Sequence, residues 1–351
     1  MRPCSDGPAF LSAPVLHAGQ NTVPQCRVIA WEVTRRCNLA CVHCRASAKD
    51  IPYALELKRE EALALADSFQ TLGRPLIIFT GGEPLLRPDL FGLIRAVRKN
   101  GHKAALSVNG TLISPEIIEK IKDVEISRCS VSIDGGSPAA HDAFRGAPGC
   151  FEQAVNGIRQ LVRAGVPVQL NTTITYRNYG ELPAILNLCR ELGAAAWHIF
   201  LLVPVGRGAE VREITPQMYE QALTWIYEQA RSSELEIRPT CAPQYNCLTD
   251  ESGSRQGRGC LGGVGFCFVS HTGIVQPCGY LQLDCGDVRV QSVSEIWRTS
   301  AVFQQLRNPG SYSGACASCR LHSRCGGCRA RAHEHSGNFL AHDPICPIVK
   351  A

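Results

Sequence analysis

Short apolar runs alternate with longer amphipathic segments from residue 27 to about residue 205. The runs are rich in Val, Ile and aromatic residues and are short enough to be buried strands. They are RVIAWEV (27–33), PLIIFT (75–80), KAALSVN (103–109), RCSVSID (128–134), VPVQLNTTI (166–174) and AAWHIFLLV (195–203). The segments between them predict helices at 58–72, 89–100, 114–122, 150–164 and 179–191. Strands that alternate with helices in this way predict a parallel sheet with right-handed crossovers.

The ends of these strands carry polar or conformationally special residues. A doubly wound open sheet and an incomplete (β/α) barrel both fit the alternation of strands and helices. In a barrel, the side chains that do the chemistry collect at the carboxyl ends of the strands. The residues at or just after the ends of the six strands are, in turn, Cys37–Cys44, Gly81–Pro84, Asn109, Asp134, the threonines Thr172, Thr173 and Thr175, and Pro204–Arg207. Because all six strands deliver such residues to one rim, we expect an α/β fold with a partial (β/α)6 TIM barrel.

The pattern changes after residue 205. A helix is predicted at 215–232, and a region rich in cysteine and glycine with short strands follows it to the C-terminus. We therefore expect an N-terminal arm (1–26), the partial barrel (27–205), a helical linker (206–255) and a small cysteine-rich domain (256–351).

The 19 cysteines are unusual for a chain of 351 residues. A secreted disulfide scaffold is normally much shorter, and an odd number fits poorly with full pairing. No run approaches the ~18 apolar residues of a membrane span, and the N-terminus does not read as a signal peptide. In a reducing compartment clustered cysteines more often bind metal than each other, so we expect a cytoplasmic, oxygen-avoiding metalloprotein. The net charge of +5 is spread along the chain and does not indicate nucleic-acid binding.

Three cysteines lie close together in CNLACVHC (37–44), directly after the first predicted strand. A cubane iron–sulfur cluster needs four ligands, which are normally thiolates. Three thiolates from one loop leave one iron without a protein ligand, and an open coordination position is typical of a reactive metal site. Cys37, Cys41 and Cys44 could instead be packed core cysteines or part of a zinc site.

The segment WEVTRRCNLACVHCRASA (31–48) resembles the radical S-adenosylmethionine (SAM) superfamily, whose signature is CxxxCxxC after the first barrel strand. The resemblance implies a [4Fe-4S] cluster on Cys37, Cys41 and Cys44, with SAM on the open iron and reductive cleavage of SAM to a 5′-deoxyadenosyl radical. FTGGEPLLRPDL (79–90) resembles the GGEP element of the same superfamily, which binds the methionine amino group. The resemblance spans roughly residues 27–205.

The same resemblance implies SAM-binding roles for residues at the rim. Members usually carry an aromatic residue just before the last cysteine, near the adenine, and contact the rest of SAM from the ends of later strands. The matching positions are His43, Gly81, Gly82, Glu83, Pro84, Asn109, Ser132, Asp134 and Arg145. Adjacent glycines also let the backbone approach a ligand closely. The last four of these residues could equally be caps or structural hydrogen-bonding groups.

A second cysteine pattern lies near the C-terminus. It reads Cys260-x12-Gly273-x4-Cys278, then Cys316-x2-Cys319-x5-Cys325-x2-Cys328, then Cys346. It resembles the SPASM extension of the superfamily, which carries auxiliary iron–sulfur clusters but usually has x3 before its penultimate cysteine. The resemblance implies one or two auxiliary [4Fe-4S] clusters, one on Cys260, Cys278 and Cys328, with Cys267 as the candidate fourth ligand. The other would use Cys316, Cys319, Cys325 and Cys346. Paired C-x2-C motifs also suit a tetrahedral zinc site, which is the alternative.

Further segments resemble one subgroup, the heme synthases of the siroheme-dependent heme pathway. They are HDAFRG, NTTIT, AAWHIFLLVPVGRG, RGCLGG and QPCGYLQLDCGDV, together with the text around the first cysteines. These enzymes oxidatively decarboxylate two propionates of iron-coproporphyrin III to vinyl groups, which gives heme b. The alternatives are a related tetrapyrrole enzyme, didecarboxysiroheme deacetylase, and a peptide- or cofactor-maturing SPASM enzyme. Only 26 residues precede the first strand, which argues against the leader-binding domain of many peptide maturases.

An anionic iron-porphyrin substrate needs cationic partners, and the arginine fork suits carboxylates. The candidates are Arg35, Arg36, Arg207 and Arg258, with His198 as the candidate to face the porphyrin iron. The arginines could instead be solvated surface residues, and the histidine a satisfied core residue. The resemblance also implies a low-potential electron donor, such as ferredoxin or flavodoxin, and an auxiliary cluster that accepts the electron left after decarboxylation.

Overall fold

The computed structural model describes residues 23–248 and 259–347. The strands of its first part are β1 (Val28–Thr34), β2 (Leu76–Gly81), β3 (Ala104–Val108), β4 (Arg128–Ser132), β5 (Val168–Ile174) and β6 (Ala196–Leu201). The helices between them are α1 (Arg59–Ser68), α2 (Leu90–Lys99), α3 (Pro115–Asp123), α4 (Pro138–Arg145), α5 (Cys150–Arg163) and α6 (Leu182–Glu191). All six predicted strands are present, and each of their ends lies within two residues of its predicted position.

The helices begin where local chemistry satisfies their free backbone groups. The hydroxyl of Ser114 accepts from the N–H of Ile117 at 3.3 Å and so caps α3, and Pro115 occupies the first turn, where no N–H is needed. Helix α2 is amphipathic, with apolar side chains at the i, i+3, i+4 and i+7 spacing. These are the buried Leu90, Leu93, Ile94 and Val97, which join the main hydrophobic core.

The sequence pattern does not predict helix α4. Ser137 caps this helix by accepting from the N–H of Ala140 at 3.3 Å, and Gly146 ends it in the left-handed conformation with φ of 70°. The C-terminal end of α4 lies against the cysteine loop, because the carbonyl of Phe144 accepts from the N–H of Val42 at 3.0 Å. The helix therefore brings additional side chains to the predicted site.

Strands β1 to β6 form a parallel sheet in chain order, as the partial barrel predicts. Successive side chains of a strand point to opposite faces. In β1, Trp31 packs against Phe69 and Phe79 on the helix-covered face. The next residue, Glu32, therefore points to the other face, which is the concave side of the partial barrel.

Four strands from later in the chain extend the sheet beyond the predicted six. They are β7 (Glu236–Thr240), β8 (Phe266–Val269), β9 (Ile274–Gln276) and β10 (Gly286–Asp287). Strand β7 pairs in parallel with β6, and β8 pairs in parallel with β1 at the opposite edge. The segment 206–255, predicted as a helical linker, thus contains a sheet strand besides helix α7 (Pro216–Ser232). The domain boundaries stay predictions.

The C-terminal region continues with four short helices. They are α8 (Val293–Thr299), α9 (Ala301–Arg307), α10 (Ala315–Ser318) and α11 (Arg329–Ser336). Helix α11 is tied to the barrel by the buried Arg331, which pairs with Asp343 at 3.2 Å and donates to the carbonyl of Leu202, next to β6, at 3.0 Å. None of the helices in the described ranges is long and apolar enough to cross a membrane.

Candidate radical and auxiliary-cluster sites

The loop after β1 gathers the first three predicted cluster ligands. Cys37 and Cys41 are buried and Cys44 is half-buried, and the three belong to one packed cluster of side chains. Backbone N–H groups of the loop donate to two of the thiols, from Leu39 to Cys37 at 3.4 Å and from Ala48 to Cys44 at 3.5 Å. Burial raises the pKa of Cys37 to about 12. The ligating thiolate therefore needs a compensating metal charge, which a cluster supplies.

Arg145, the last residue of α4, links the cysteine loop to the end of β4. Its guanidinium donates to the thiol of Cys41 at 3.6 Å and forms an ion pair with Asp134. Asp134 also accepts from the N–H of Thr173 at 2.6 Å. Burial opposes the charge of Arg145, but Asp134 and Cys41 outweigh it and hold the pKa of Arg145 above its usual range. Its Nε is buried and has no hydrogen-bond partner among the described residues, so it can still donate to a ligand.

The two glycines of GGEP allow this loop to close against the loop after β1. A Cβ on Gly82 would lie 2.5 Å from the carbonyl oxygen of Arg35 and closer still to that of Arg36. The N–H of Gly82 donates to the carbonyl of Thr34 at 2.8 Å, which fixes the same approach. A Cβ on Gly81 would likewise meet the Thr34 carbonyl. Both glycines are therefore required by the contact between the two loops, in addition to the ligand approach expected from the sequence.

Glu83 is fully buried at the rim. Its carboxylate accepts from the backbone N–H of Leu85 at 3.1 Å and of Asn109 at 2.7 Å. Burial raises the pKa of Glu83 to about 7, although these two hydrogen bonds lower it. The side chain of Asn109 in turn bonds to Asn38 of the cysteine loop at 2.8 Å and to Thr111 at 2.8 Å. Glu83 and Asn109 therefore belong to one network with the cysteine loop.

The other predicted SAM contacts lie around the same rim. The His43 ring is 4.6 Å from the ring of Phe144, and burial lowers the pKa of His43 to about 4, so its imidazole is neutral at physiological pH. The Nδ1 of His43 is buried without a hydrogen-bond partner in the described ranges. Pro84 is buried in a short 3-10 turn, and Ser132 ends β4 half-buried.

The concave face of the sheet is lined with small and polar side chains. Along β3 to β6 they are half-exposed, while their sequence neighbours on the helix-covered face are buried. They are Ser107, Ser132, Asn171, Thr173 and His198, and the large aromatic Phe200 of β6 lies on the same face. Bulky branched residues fill the interior of a closed TIM barrel. Here the small side chains leave the concave face accessible to a ligand.

Arg35 has a partly free guanidinium at the edge of this face. Its Nε donates to the buried carboxylate of Glu32 at 3.0 Å, and its two terminal nitrogens have no partner in the described part of the chain. Glu32 is also contacted by Arg45 at 3.0 Å and by His271 at 2.8 Å. Burial opposes ionisation of Glu32, yet these neighbours together lower its pKa to about 2. The carboxylate therefore stays charged and holds Arg35 in place.

The other arginines predicted to bind substrate have different surroundings. Arg36 forms an exposed ion pair with Asp50 at 2.5 Å. Arg207 donates to two carbonyls of the cysteine loop, including that of Cys41 at 2.8 Å, so it holds this loop. Arg258 lies outside the described residues.

His198 lies in β6 on the concave face. Its Nε2 is 3.7 Å from the Glu236 carboxylate, which is too long for a hydrogen bond, and it has no other partner among the described residues. Burial lowers the pKa of His198 to about 4. The residue is therefore a neutral imidazole with an unpartnered ring nitrogen.

Four cysteines converge where β7, the start of the cysteine-rich region and α11 meet. This first auxiliary group consists of Cys241, Cys260, Cys278 and Cys328. The thiols of Cys241 and Cys328 are in hydrogen-bond contact, and both Cys260 and Cys278 interact with Cys328. The group offers the four thiolates that a cubane cluster needs.

Cys267, the predicted fourth ligand of this group, lies elsewhere. It is fully buried in β8, and its thiol is 3.9 Å from that of Cys26, which precedes β1. Strand alternation explains the difference, because Cys267 and Val269 of β8 both join the hydrophobic core. Cys241 takes the place predicted for Cys267.

A second auxiliary group lines a cavity of about 360 Å³. It consists of Cys316, Cys319, Cys325 and Cys346. Backbone N–H groups donate to two of these thiols, from Leu321 to Cys319 at 3.4 Å and from Gly327 to Cys325 at 3.4 Å. Cys247 also lines the cavity and is in hydrogen-bond contact with Cys325.

The three cysteine groups fit iron–sulfur clusters by the chemistry of their donors. In the described ranges, no three His, Cys, Asp or Glu side chains converge on a single metal-ion position. A cubane instead takes separate thiolates on separate irons. The first loop supplies three thiolates beside a polar rim, and each auxiliary group supplies four.

Several residues of these sites are not predicted from the sequence. His141 of α4 is buried and its Nδ1 accepts from the N–H of Asp134 at 3.2 Å. The sequence signal for the short helix that carries His141 is a serine–proline pair at its start and a glycine at its end. Cys241 and Cys247 were not assigned, although their x5 spacing just before the cysteine-rich block was a usable signal. Arg45, which contacts Glu32, carried no signal, because its partner is known only from the fold.

Comparisons with known proteins agree with this geometry. Residues 31–189 match the radical SAM superfamily, and residues 260–328 match the SPASM iron–sulfur cluster-binding domain. Streptococcus suis SuiB bound to S-adenosylmethionine has a TM-score of 0.72 at 15% identity, covering 92% of this chain and 77% of that one. Native anSMEcpe with bound AdoMet has a TM-score of 0.72 at 18% identity, covering 92% and 94%. The fold and the site thus define a radical SAM enzyme that uses a [4Fe-4S] cluster, SAM and auxiliary iron–sulfur clusters.

Relatives with higher sequence identity narrow this class. An "AdoMet-dependent heme synthase" of Oleidesulfovibrio alaskensis is 50% identical, covering 92% of this chain and 87% of that protein. One of Methanosarcina barkeri is 44% identical, covering 91% and 96%. An "Fe-coproporphyrin III synthase" of the same species is 34% identical, covering 92% and 88%. The chain belongs to the radical SAM heme synthase family.

Proposed function

We propose that this enzyme converts two propionate side chains of iron-coproporphyrin III into vinyl groups and so forms heme b. The 50% identity with a heme synthase, over most of both chains, supports the reaction. The structural observation that carries the proposal is the accessible concave face, with a partly free arginine and a neutral, unpartnered histidine. These are groups that suit a carboxylate and a porphyrin iron.

The stoichiometry of the reaction determines which groups the protein must bind and where the released electron must go. Each propionate gives up a hydrogen atom from the carbon β to its carboxylate, then carbon dioxide and one electron, and a vinyl group remains. When bound, the first cluster and SAM supply the 5′-deoxyadenosyl radical that takes the hydrogen atom. The chain must therefore hold SAM at the cysteine loop, hold the porphyrin beside it and give the remaining electron a destination.

We assign the cluster and SAM to the rim at the end of β1. Cys37, Cys41 and Cys44 would hold the cluster. SAM would contact His43, Gly81, Gly82, Glu83, Pro84, Asn109, Ser132, Asp134 and Arg145. Glu83 suits an ammonium group because its pKa of about 7 leaves it substantially ionised at neutral pH. The free Nε of Arg145 suits the methionine carboxylate, and the neutral ring of His43 suits the adenine.

We assign the substrate to the concave face. The terminal nitrogens of Arg35 are positioned to bind a propionate, since Glu32 already holds its Nε at 3.0 Å. His198 is the candidate ligand of the porphyrin iron, because a neutral imidazole nitrogen is what an iron ion requires. Arg207 is assigned to the cysteine loop, and Arg36 to the surface.

We propose that the auxiliary clusters accept the electron that remains after loss of carbon dioxide. The first auxiliary group would bind a cluster through Cys241, Cys260, Cys278 and Cys328, and the second through Cys316, Cys319, Cys325 and Cys346. A low-potential protein such as ferredoxin or flavodoxin would supply the electron that starts each cycle. We propose that the protein works in the cytoplasm under anaerobic conditions.

Anaerobic reconstitution tests the proposed reaction. The enzyme is mixed with iron-coproporphyrin III, SAM and a reductant, and the products are identified by mass spectrometry. Heme b and the monovinyl intermediate are expected, and formation of 5′-deoxyadenosine alone would rule out this substrate. A parallel reaction with didecarboxysiroheme distinguishes the related deacetylase.

Two neighbouring arginines provide a matched pair of variants. Arg35→Gln should raise the KM for the porphyrin, because the residue has free donors on the concave face. Arg36→Gln removes an equal charge one residue away, but from an exposed ion pair, and should leave KM unchanged. Equal KM values in both variants would contradict the assignment of Arg35.

A further inference from the structure

Arg329 is a buried arginine without a carboxylate partner. It is the first residue of helix α11 and is only 2% exposed. Its guanidinium donates to the backbone carbonyls of Phe339 at 3.1 Å and Ala341 at 2.7 Å, and no Asp or Glu in the described ranges forms an ion pair with it. Arg331, two residues further on, is equally buried but is paired with Asp343 at 3.2 Å. The protein therefore balances one of these charges and leaves the other unbalanced.

An unbalanced buried guanidinium is unfavourable, because removing a charge from water costs several kcal/mol. Carbonyl dipoles satisfy its hydrogen bonds but carry no net charge. The contacts of Arg329 show where a negative charge would lie. A terminal nitrogen of Arg329 donates to the thiol of Cys316 at 3.6 Å. The backbone N–H of Arg329 donates to the thiol of Cys260. Arg329 thus touches one cysteine of each auxiliary group. Its charge also acts on Cys260 of the first group, but its guanidinium donates to a thiol of the second.

We propose that Arg329 is a positioning residue that balances the charge of the cluster in the second auxiliary group and raises the reduction potential of that cluster. Reduction adds an electron to a cluster that four thiolates already make negative, and a cation at hydrogen-bond distance favours the added charge. The first auxiliary group lies beside Arg331, whose charge Asp343 already offsets. The second cluster is therefore the better electron acceptor of the two. This role requires the auxiliary clusters but not the proposed substrate.

A redox titration of the anaerobic holoenzyme, followed by electron paramagnetic resonance without any porphyrin, tests the role. Arg329→Gln should lower the midpoint potential of the second cluster by about 59 mV or more, which is a tenfold change for one electron. Arg329→Lys keeps the charge and should restore most of the potential. The Cys319→Ala variant, which lacks a ligand of the second group, identifies which signal belongs to that cluster.

Arg307 provides the matched control in the same region. It also donates to backbone carbonyls, those of Gly263 at 2.8 Å and Trp297 at 2.6 Å, but it touches neither auxiliary group. Arg307→Gln should leave both potentials unchanged.

Three outcomes would overturn the proposal. In the first, Arg329→Gln keeps its iron content and its potentials. In the second, Arg329→Lys shifts the second cluster as far as Arg329→Gln does. In the third, only the first cluster shifts. If Arg329→Gln does not assemble its clusters, the lysine variant decides, since a near-native potential supports the charge argument and a lowered one contradicts it. Absence of turnover with iron-coproporphyrin III would refute the proposed reaction without affecting this titration.

Discussion

Replacing Gly82 with alanine should separate the GGEP loop from the cysteine loop. The new Cβ would lie 2.5 Å from the Arg35 carbonyl oxygen and closer to that of Arg36. Both are backbone atoms, so one loop must move as a whole. Adding a carbon to a closely packed place typically costs about 1–3 kcal/mol. Because the displaced loop also carries Glu83, the same energy would weaken SAM binding by roughly 5- to 150-fold.

Gly92→Ala provides the control for this substitution. Gly92 lies in α2, and apart from its two chain neighbours and the backbone of its own helix no described atom lies within 4 Å of the place where its Cβ would be. Alanine there should stabilise the protein by up to about 1 kcal/mol through helix propensity. Urea unfolding of both variants gives the free energies of unfolding, and equilibrium binding of SAM to the reconstituted enzymes gives the dissociation constants.

The two measurements separate steric conflict from a general effect of adding a methyl group. Gly82→Ala is expected to lose both stability and SAM affinity, while Gly92→Ala loses neither. If Gly82→Ala unfolds at the wild-type urea concentration and binds SAM with wild-type affinity, the close approach of the two loops is not a constraint. The two GGEP glycines would then not be required for the contact between the loops.

Three further predictions concern the clusters and the buried glutamate. Cys41→Ala removes a predicted ligand of the first cluster and should abolish formation of 5′-deoxyadenosine, so retained cleavage measured by chromatography would contradict the radical assignment. Cys319→Ala should spare uncoupled SAM cleavage but stop product formation, and unchanged turnover would refute a role for the second auxiliary group. The pKa of Glu83 is raised from 4.5 to about 7, so its contribution to stability is complete below about pH 4.5 and is lost as the pH rises through 7. That loss is at most about 3 kcal/mol, and Glu83→Gln should remove it from the difference in unfolding free energy between pH 5 and pH 8. An identical pH dependence in this variant would contradict the raised pKa.

The local features of the barrel could be predicted because they depend on residues that are close together in the sequence. Each strand from β1 to β6 is an apolar run of its own, and CNLACVHC and GGEP follow the first two of them. Their meeting at one rim follows from the parallel arrangement alone. Helix α4 was missed because its eight residues are too few for a periodic pattern, so that only its two ends carried a signal.

Features that depend on distant residues could not be predicted in this way. Strand β8 pairs with β1, more than 200 residues earlier in the chain, and no local pattern identifies that partner. The same pairing carries Cys267 into the core beside Cys26 and leaves Cys241 with the first auxiliary group. The spacing predicts that the C-terminal cysteines bind metal, but only the fold shows which of them lie together.

Transfer of deuterium from the substrate to 5′-deoxyadenosine is the direct test of hydrogen abstraction from the propionate. Iron-coproporphyrin III with deuterium on the propionate carbon β to the carboxylate is incubated anaerobically with the enzyme, SAM and a reductant. We expect mass spectrometry to detect one deuterium in 5′-deoxyadenosine for each vinyl group formed. Vinyl formation with unlabelled 5′-deoxyadenosine, or labelled cofactor product without vinyl groups, would contradict it.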